Sequence, residues 1–162
     1  MSILVKLPVF RTEDTLTEKD KVDLEVLNRA VNAHKDYPED QINTMFFHGV
    51  YTDIDKNMNV LMAVINNTKD TVGGFELDIA MRPKEIEAEI SAIRITAGID
   101  YVGILEPDQA VTIQYDVPVR GLHQDRIFYS EDIESYVRVN RLVVRKEEAE
   151  ADAEDKSEEE EK

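Results

Sequence analysis

The chain has no cysteine, so disulfides, thiolate metal sites and thiol catalysis are all excluded, and a reducing compartment suits it. Basic residues are scarce: 19 Lys and Arg stand against 35 Asp and Glu, a net charge of −16 over 162 residues. That balance argues against nucleic-acid binding, which needs cations to displace counterions from phosphates. It argues equally against an anionic membrane surface. No apolar run approaches the roughly 20 residues of a membrane-spanning helix. The first ten residues, interrupted by Lys6 and Pro8, lack the basic and continuous apolar regions of a signal peptide, so a soluble cytoplasmic protein is expected. Glycines are few, and the pair Gly73-Gly74 suits a turn and not a phosphate loop.

The charge is uneven. Residues 146–162 hold ten acids against three lysines, a net of −7, which leaves −9 for the other 145 residues. This segment has no aromatic or β-branched residue with which to offset the entropy of ordering. It is expected to be a disordered acidic C-terminal tail, following a single domain over 1–145.

Within that domain one helix is expected, over residues 17–34. Thr17 is a suitable N-cap, with Glu18 and Asp20 in the first turn. Val22, Val26, Leu27, Ala30 and Val31 recur at three-to-four spacing and predict one buried stripe. Pro38 closes the segment. From residue 42 the period becomes two. Strands are expected at 42–51, 58–66, 75–81, 86–95, 99–105 and 110–117, with a helix as the alternative at 86–95. Their connections are turn-like, among them Asp53-Ile54-Asp55-Lys56-Asn57 and Glu106-Pro107-Asp108-Gln109. Short strands at this spacing predict an antiparallel β-sandwich with one N-terminal helix, a mainly β (α+β) fold.

Residues 119–145 predict a short helix near Ser130 and then a strand or arm over Ser135–Arg145. This is the only basic segment. Tyr136, Arg138, Arg141 and Arg145 are its candidate partner-binding residues, through strand addition or acid pairing.

Nothing else in the sequence points to chemistry. His34, His48 and His123 have no second ligand at metal-binding spacing on an identifiable helix, and His48 is expected to be a surface or satisfied sheet residue. Asp53-x-Asp55-x-Asn57 begins like a calcium loop, but Met58 replaces the required Gly and Val64 the bidentate Glu. No nucleophile elbow or convergent acid–base set is visible. No enzyme activity, cofactor or metal is expected.

Read in order, the capped helix, the strand ending Gly49-Val50-Tyr51, Val60-Leu61-Met62-Ala63-Val64-Ile65 closing on Asn66-Asn67-Thr68, and the Gly103-Ile104-Leu105-Glu106-Pro107 turn have a familiar pattern. Over residues 13–118 the chain resembles the SLAP domain, the S-layer assembly protein domain of Gram-positive bacteria. Its closing strand is represented by Thr112-Ile113-Gln114-Tyr115, without the family's tryptophan, and residues 119–162 have no counterpart. The resemblance implies an immunoglobulin-like sandwich and a cytoplasmic factor assisting export of surface-layer proteins by the accessory Sec system. The alternative is a phage virion structural or decoration protein, in which 119–145 would be an extended arm. Either reading makes the chain a binding or assembly protein, with a protein partner or a second copy, and a homo-oligomer as one form.

Overall fold

The structure is a computed structural model that describes residues 2–8, 16–34 and 36–145. The acidic segment 146–162 lies outside the described residues. Two sheets face each other as a sandwich, and a helix lies on the outside of the larger one. Strand β1 (Leu4–Lys6) precedes helix α1 (Glu18–Ala33). Then come β2 (Ile42–Thr52), β3 (Asn57–Asn66), β4 (Thr71–Pro83), β5 (Glu89–Ile90) and β6 (Ile93–Ala97). A single helical turn α2 (Ile99–Val102), β7 (Gln109–Arg120), β8 (Arg126–Tyr129), a 3-10 turn (Ser130–Asp132) and β9 (Ile133–Arg145) complete the chain. The large sheet runs β1-β7-β3-β2-β8, with β5 also paired to β7, and the small sheet runs β6-β4-β9.

Strand β3 shows why its sequence is apolar without a break. Met58, Val60, Met62 and Val64 point into the core between the sheets, together with Phe75, Leu77, Ile79 and Met81 of β4. Ala63 and Ile65 point the other way, into a second cluster with Leu27 and Val31 of α1 and Ile3 and Val5 of β1. A central strand covered on both faces needs both sets of side chains apolar.

Helix α1 begins as the sequence predicts. Thr17 Oγ1 accepts from the Asp20 amide at 3.0 Å and Asp20 accepts from the Thr17 amide at 3.1 Å, a reciprocal capping pair. Its buried face differs from the predicted stripe. Leu27 and Val31 are fully buried, with Leu24 packed beside them, whereas Val22 and Val26 are exposed at 54% and 37%. The rotation has a polar cause. Asn28 and Asn32, one turn apart, face β1: Ile3 N–H donates to Asn32 Oδ1 at 2.6 Å and Val5 N–H to Asn28 Oδ1 at 3.1 Å, while Asn32 Nδ2 returns a bond to the Ile3 carbonyl at 2.8 Å. Strand β1 is thus held by β7 on one edge, in parallel register Leu4 to Gln109, and by two asparagines on the other.

Two expected strands are corrected. The segment 86–95 is not continuous, because the chain leaves β7 at Ile90 and joins β4 at Ile93 in the opposite sheet. The segment 99–105 is helical at Ile99–Val102; Gly103 then reverses the chain at φ 68, and Leu105 makes only a bridge to Val72. Strands β1 and β8 were not expected at all.

Candidate partner-binding face

Residues 119–145 are not a free arm. They form the end of β7, then β8, then β9, and β9 pairs with β4 from Ile133 opposite Pro83 to Arg145 opposite Thr71. Because β9 ends the order β6-β4-β9, its second edge carries no strand among the described residues.

Strand alternation then sorts side chains onto two faces. In β4, Phe75, Leu77, Ile79 and Met81 turn inward, and Glu76, Asp78, Ala80 and Arg82 turn outward. Their β9 partners place Arg141 opposite Glu76, Arg138 opposite Asp78, Tyr136 opposite Ala80 and Glu134 opposite Arg82. Two bulges keep the faces in phase: Gly73 is the extra residue in β4 and Asn140 the extra residue in β9. A Cβ at Gly73 would stand 2.7 Å from Arg145 Cδ, so glycine is what lets the Arg145 side chain lie across the strand there. All four residues expected from the sequence, Tyr136, Arg138, Arg141 and Arg145, therefore share the outer face of the small sheet.

They do not share one role. Asp78, on the central strand, accepts from both neighbours: Arg94 Nε at 2.7 Å and Nη2 at 3.1 Å from β6, and Arg138 Nη2 at 2.8 Å from β9. Arg82 Nη2 meets Glu134 at 2.7 Å, and the Tyr136 hydroxyl donates to the same carboxylate oxygen at 3.2 Å. Arg138 is thus occupied within the sheet. Arg141 and Arg145 have no carboxylate within ion-pair distance among the described residues. Sequence reasoning missed the ladder on β4 and β6. Its signal was present in Phe75-Glu76-Leu77-Asp78-Ile79-Ala80-Met81-Arg82, where charge alternates with core residues.

The hydrogen bonds from Arg94, then those from Asn140 and Arg138, hold the Asp78 carboxyl well below the usual carboxylate range, against the opposing effect of desolvation. Arg82 and then Tyr136 lower Glu134 in the same sense. A depressed carboxylate contributes stability that is present above its unfolded value and lost only as pH falls through the folded one. The clamp should therefore survive mild acid. Carbon-detected titration should find no Asp78 midpoint near the ordinary value of about 3.9, and Arg94→Gln should move it back toward that value. An Asp78 that titrates ordinarily in the parent would show the clamp is not formed.

Polar side chains also gather at two other places. A cavity of about 590 Å³ lies between the first half of α1 and the outer face of the large sheet, lined by Asp23, Leu24, His48, Leu61, Gln114 and Tyr115, among others. His48 departs from expectation: it follows a bulge in β2, and its Nδ1 is buried with no hydrogen-bond partner among the described residues. At the β2–β3 turn, Asp53 is engaged by Lys56 Nζ and by the Tyr51 hydroxyl, each at 2.9 Å, and its own amide donates to Asp125. Among the described residues no three His, Asp or Glu side chains converge as metal ligands, and no helix is long and apolar enough to cross a membrane.

No protein-family model matches the chain, and neither a curated protein nor a solved structure matches it.

Proposed function

We propose that this chain is a non-catalytic binding and assembly protein that meets a protein partner through the outer face and free edge of β9. One observation carries the reading: in a chain of net charge −16, the guanidinium groups of Arg141 and Arg145, which have no carboxylate at ion-pair distance among the described residues, stand with exposed Tyr136 and Val143 on a sheet face that no described element covers. The bulge at Asn140 divides the free edge, so an added strand runs along one side of it. The cationic side is 141–145, and an acidic extended segment suits it. Main-chain hydrogen bonds would supply affinity, and carboxylates meeting the two arginines would set register.

The SLAP resemblance supports a role for this face in assisting secretion or assembly of surface-layer proteins, and it implies a cytoplasmic setting; that assignment rests on the resemblance alone. The virion alternative drew its support from an extended arm. Since β9 lies in the chain's own sheet, no feature among the described residues favours it.

Arg141→Glu combined with Arg145→Glu tests the proposal, with Arg29→Glu on the exposed side of α1 as the control. The double variant should melt like the parent, because both side chains are exposed, yet retain about tenfold less of the partner that co-purifies with the parent. Self-association through this face would show as an oligomer by light scattering that the same variant dissolves. Equal retention by all three chains would end the proposal.

A further inference from the structure

We propose that the seat between α1 and β7, which holds β1, also accepts β1 of a second copy, so that copies assemble by exchanging this strand. The surface is separate from β9: it lies at the β1 edge of the large sheet.

The seat reads main chain. Two residues along an extended strand advance about 6.6 Å, and four along a helix about 6.0 Å. Asn32 and Asn28, four apart on α1, therefore meet the amides of Ile3 and Val5, two apart on β1, in register. Asn32 grips both the amide and the carbonyl of Ile3, and its Nδ2 also donates to the Asn28 carbonyl at 2.8 Å, which fixes its orientation. On the β7 side, the Leu4 amide donates to the Asp108 carbonyl at 3.1 Å. Lys6 Nζ donates to the Ile104 carbonyl at 2.7 Å.

Side chains then select an apolar-x-apolar segment. Ile3 and Val5 are buried beside Leu27, Val31 and Ala110, while Leu4 between them is exposed. Main-chain bonds with pockets for alternate side chains are the features by which a sheet edge accepts a strand from another chain.

Two properties make the occupant exchangeable. Strand β1 is only three residues long, and its pairing with β7 is parallel, the weaker arrangement per residue. An outer strand so lightly held opens at a cost well below that of global unfolding. Every contact of the seat is also the same whichever copy supplies Ile3 to Lys6. Exchange therefore conserves the bonds, as in domain swapping, and protein concentration sets its extent. A tethered segment competes at an effective concentration of order millimolar, so exchange rises as chains are crowded toward that value.

The chain has no cysteine, so an introduced disulfide reports the pairing. Leu4 and Gln109 are directly opposed in the β1–β7 register. Full-length Leu4→Cys, labelled with nitrogen-15, is mixed with full-length Gln109→Cys at about 1 mM and oxidised. A mixed disulfide dimer, identified by mass, is expected, with its yield at least about tenfold lower at about 10 µM. Ile54→Cys replaces Gln109→Cys as the control for random collision. Ile54 is 88% exposed at the β2–β3 turn, the other end of the sheet, so it should give about tenfold less mixed dimer at about 1 mM. The single chain carrying both Leu4→Cys and Gln109→Cys should close on itself at about 10 µM, which checks fold and register together. Three results overturn the proposal: a mixed dimer no more abundant than the Ile54→Cys control, a yield that ignores concentration, or a doubly substituted chain that does not close.

Discussion

Leu27→Asp is expected to destabilise the fold by about 4 kcal/mol, enough to unfold much of a marginally stable domain. Leu27 is fully buried between α1 and the large sheet, in one cluster with Val31, Ala63, Ile65 and Ala110. Val26→Asp, one residue away on the exposed side, should change stability by no more than about 0.5 kcal/mol. Urea denaturation of the two variants separates the readings. If both lose the same stability, the buried face of α1 is not the one described. If neither loses any, α1 does not pack on the sheet.

The second large effect is expected at Asn66, which is fully buried and uses its whole amide. Its Nδ2 donates to the Asp70 and Leu105 carbonyls, both at 2.9 Å. Its Oδ1 accepts from the Thr68 amide at 3.0 Å and the Thr68 hydroxyl at 2.6 Å. The side chain therefore ties the end of β3 to the β3–β4 turn and to the loop before β7. Asn66→Leu keeps the size and removes all four bonds, leaving donors and acceptors without partners. A loss of about 3 kcal/mol is expected, because each buried group left unsatisfied costs about 1–3 kcal/mol. A loss below about 1 kcal/mol, measured by urea denaturation, would mean water replaces the amide and the site is not closed.

Asn66 also illustrates what the sequence does and does not disclose. A strand ending in Asn-Asn-Thr announces a polar turn, and the turn is there. That the first asparagine reaches across to Leu105, 39 positions away, depends on the fold bringing those loops together. The sandwich itself was legible because period-two alternation survives wherever one face is buried, as in β4. The start of α1 was legible for a local reason too, since Thr17 and Asp20 satisfy each other within one turn. The buried face of α1 was not, because hydrophobicity alone cannot tell that Asn28 and Asn32 would turn inward to hold β1. Strand β1 escaped notice for the same reason: three residues carry too little pattern, and its second edge is bonded by side chains. At Ile99–Leu105 the residues are β-prone, but Gly103, at φ 68, permits the reversal that follows a helical turn over Ile99–Val102.

The proposed binding face divides in the same way. Alternation across β9 and the excess of arginine marked Tyr136, Arg138, Arg141 and Arg145 as one group, and the structure places them on one face. Only pairing with β4 and β6 separates Arg138, held by Asp78, from Arg141 and Arg145. The β-bulge at Asn140 decides which outward positions follow, and single-sequence patterns do not register a one-residue insertion of that kind.

On the proposed reading, partners meet the outer face and free edge of β9. Its most direct test is a photo-crosslinking amino acid placed at Tyr136 on that face and, in a second chain, at Val22 on the exposed side of α1. Both positions are about half exposed, so both substitutions should leave the fold intact. Illumination in the native cell should yield a discrete protein adduct from position 136 and none from position 22. An adduct from position 22 with none from 136 would contradict the account.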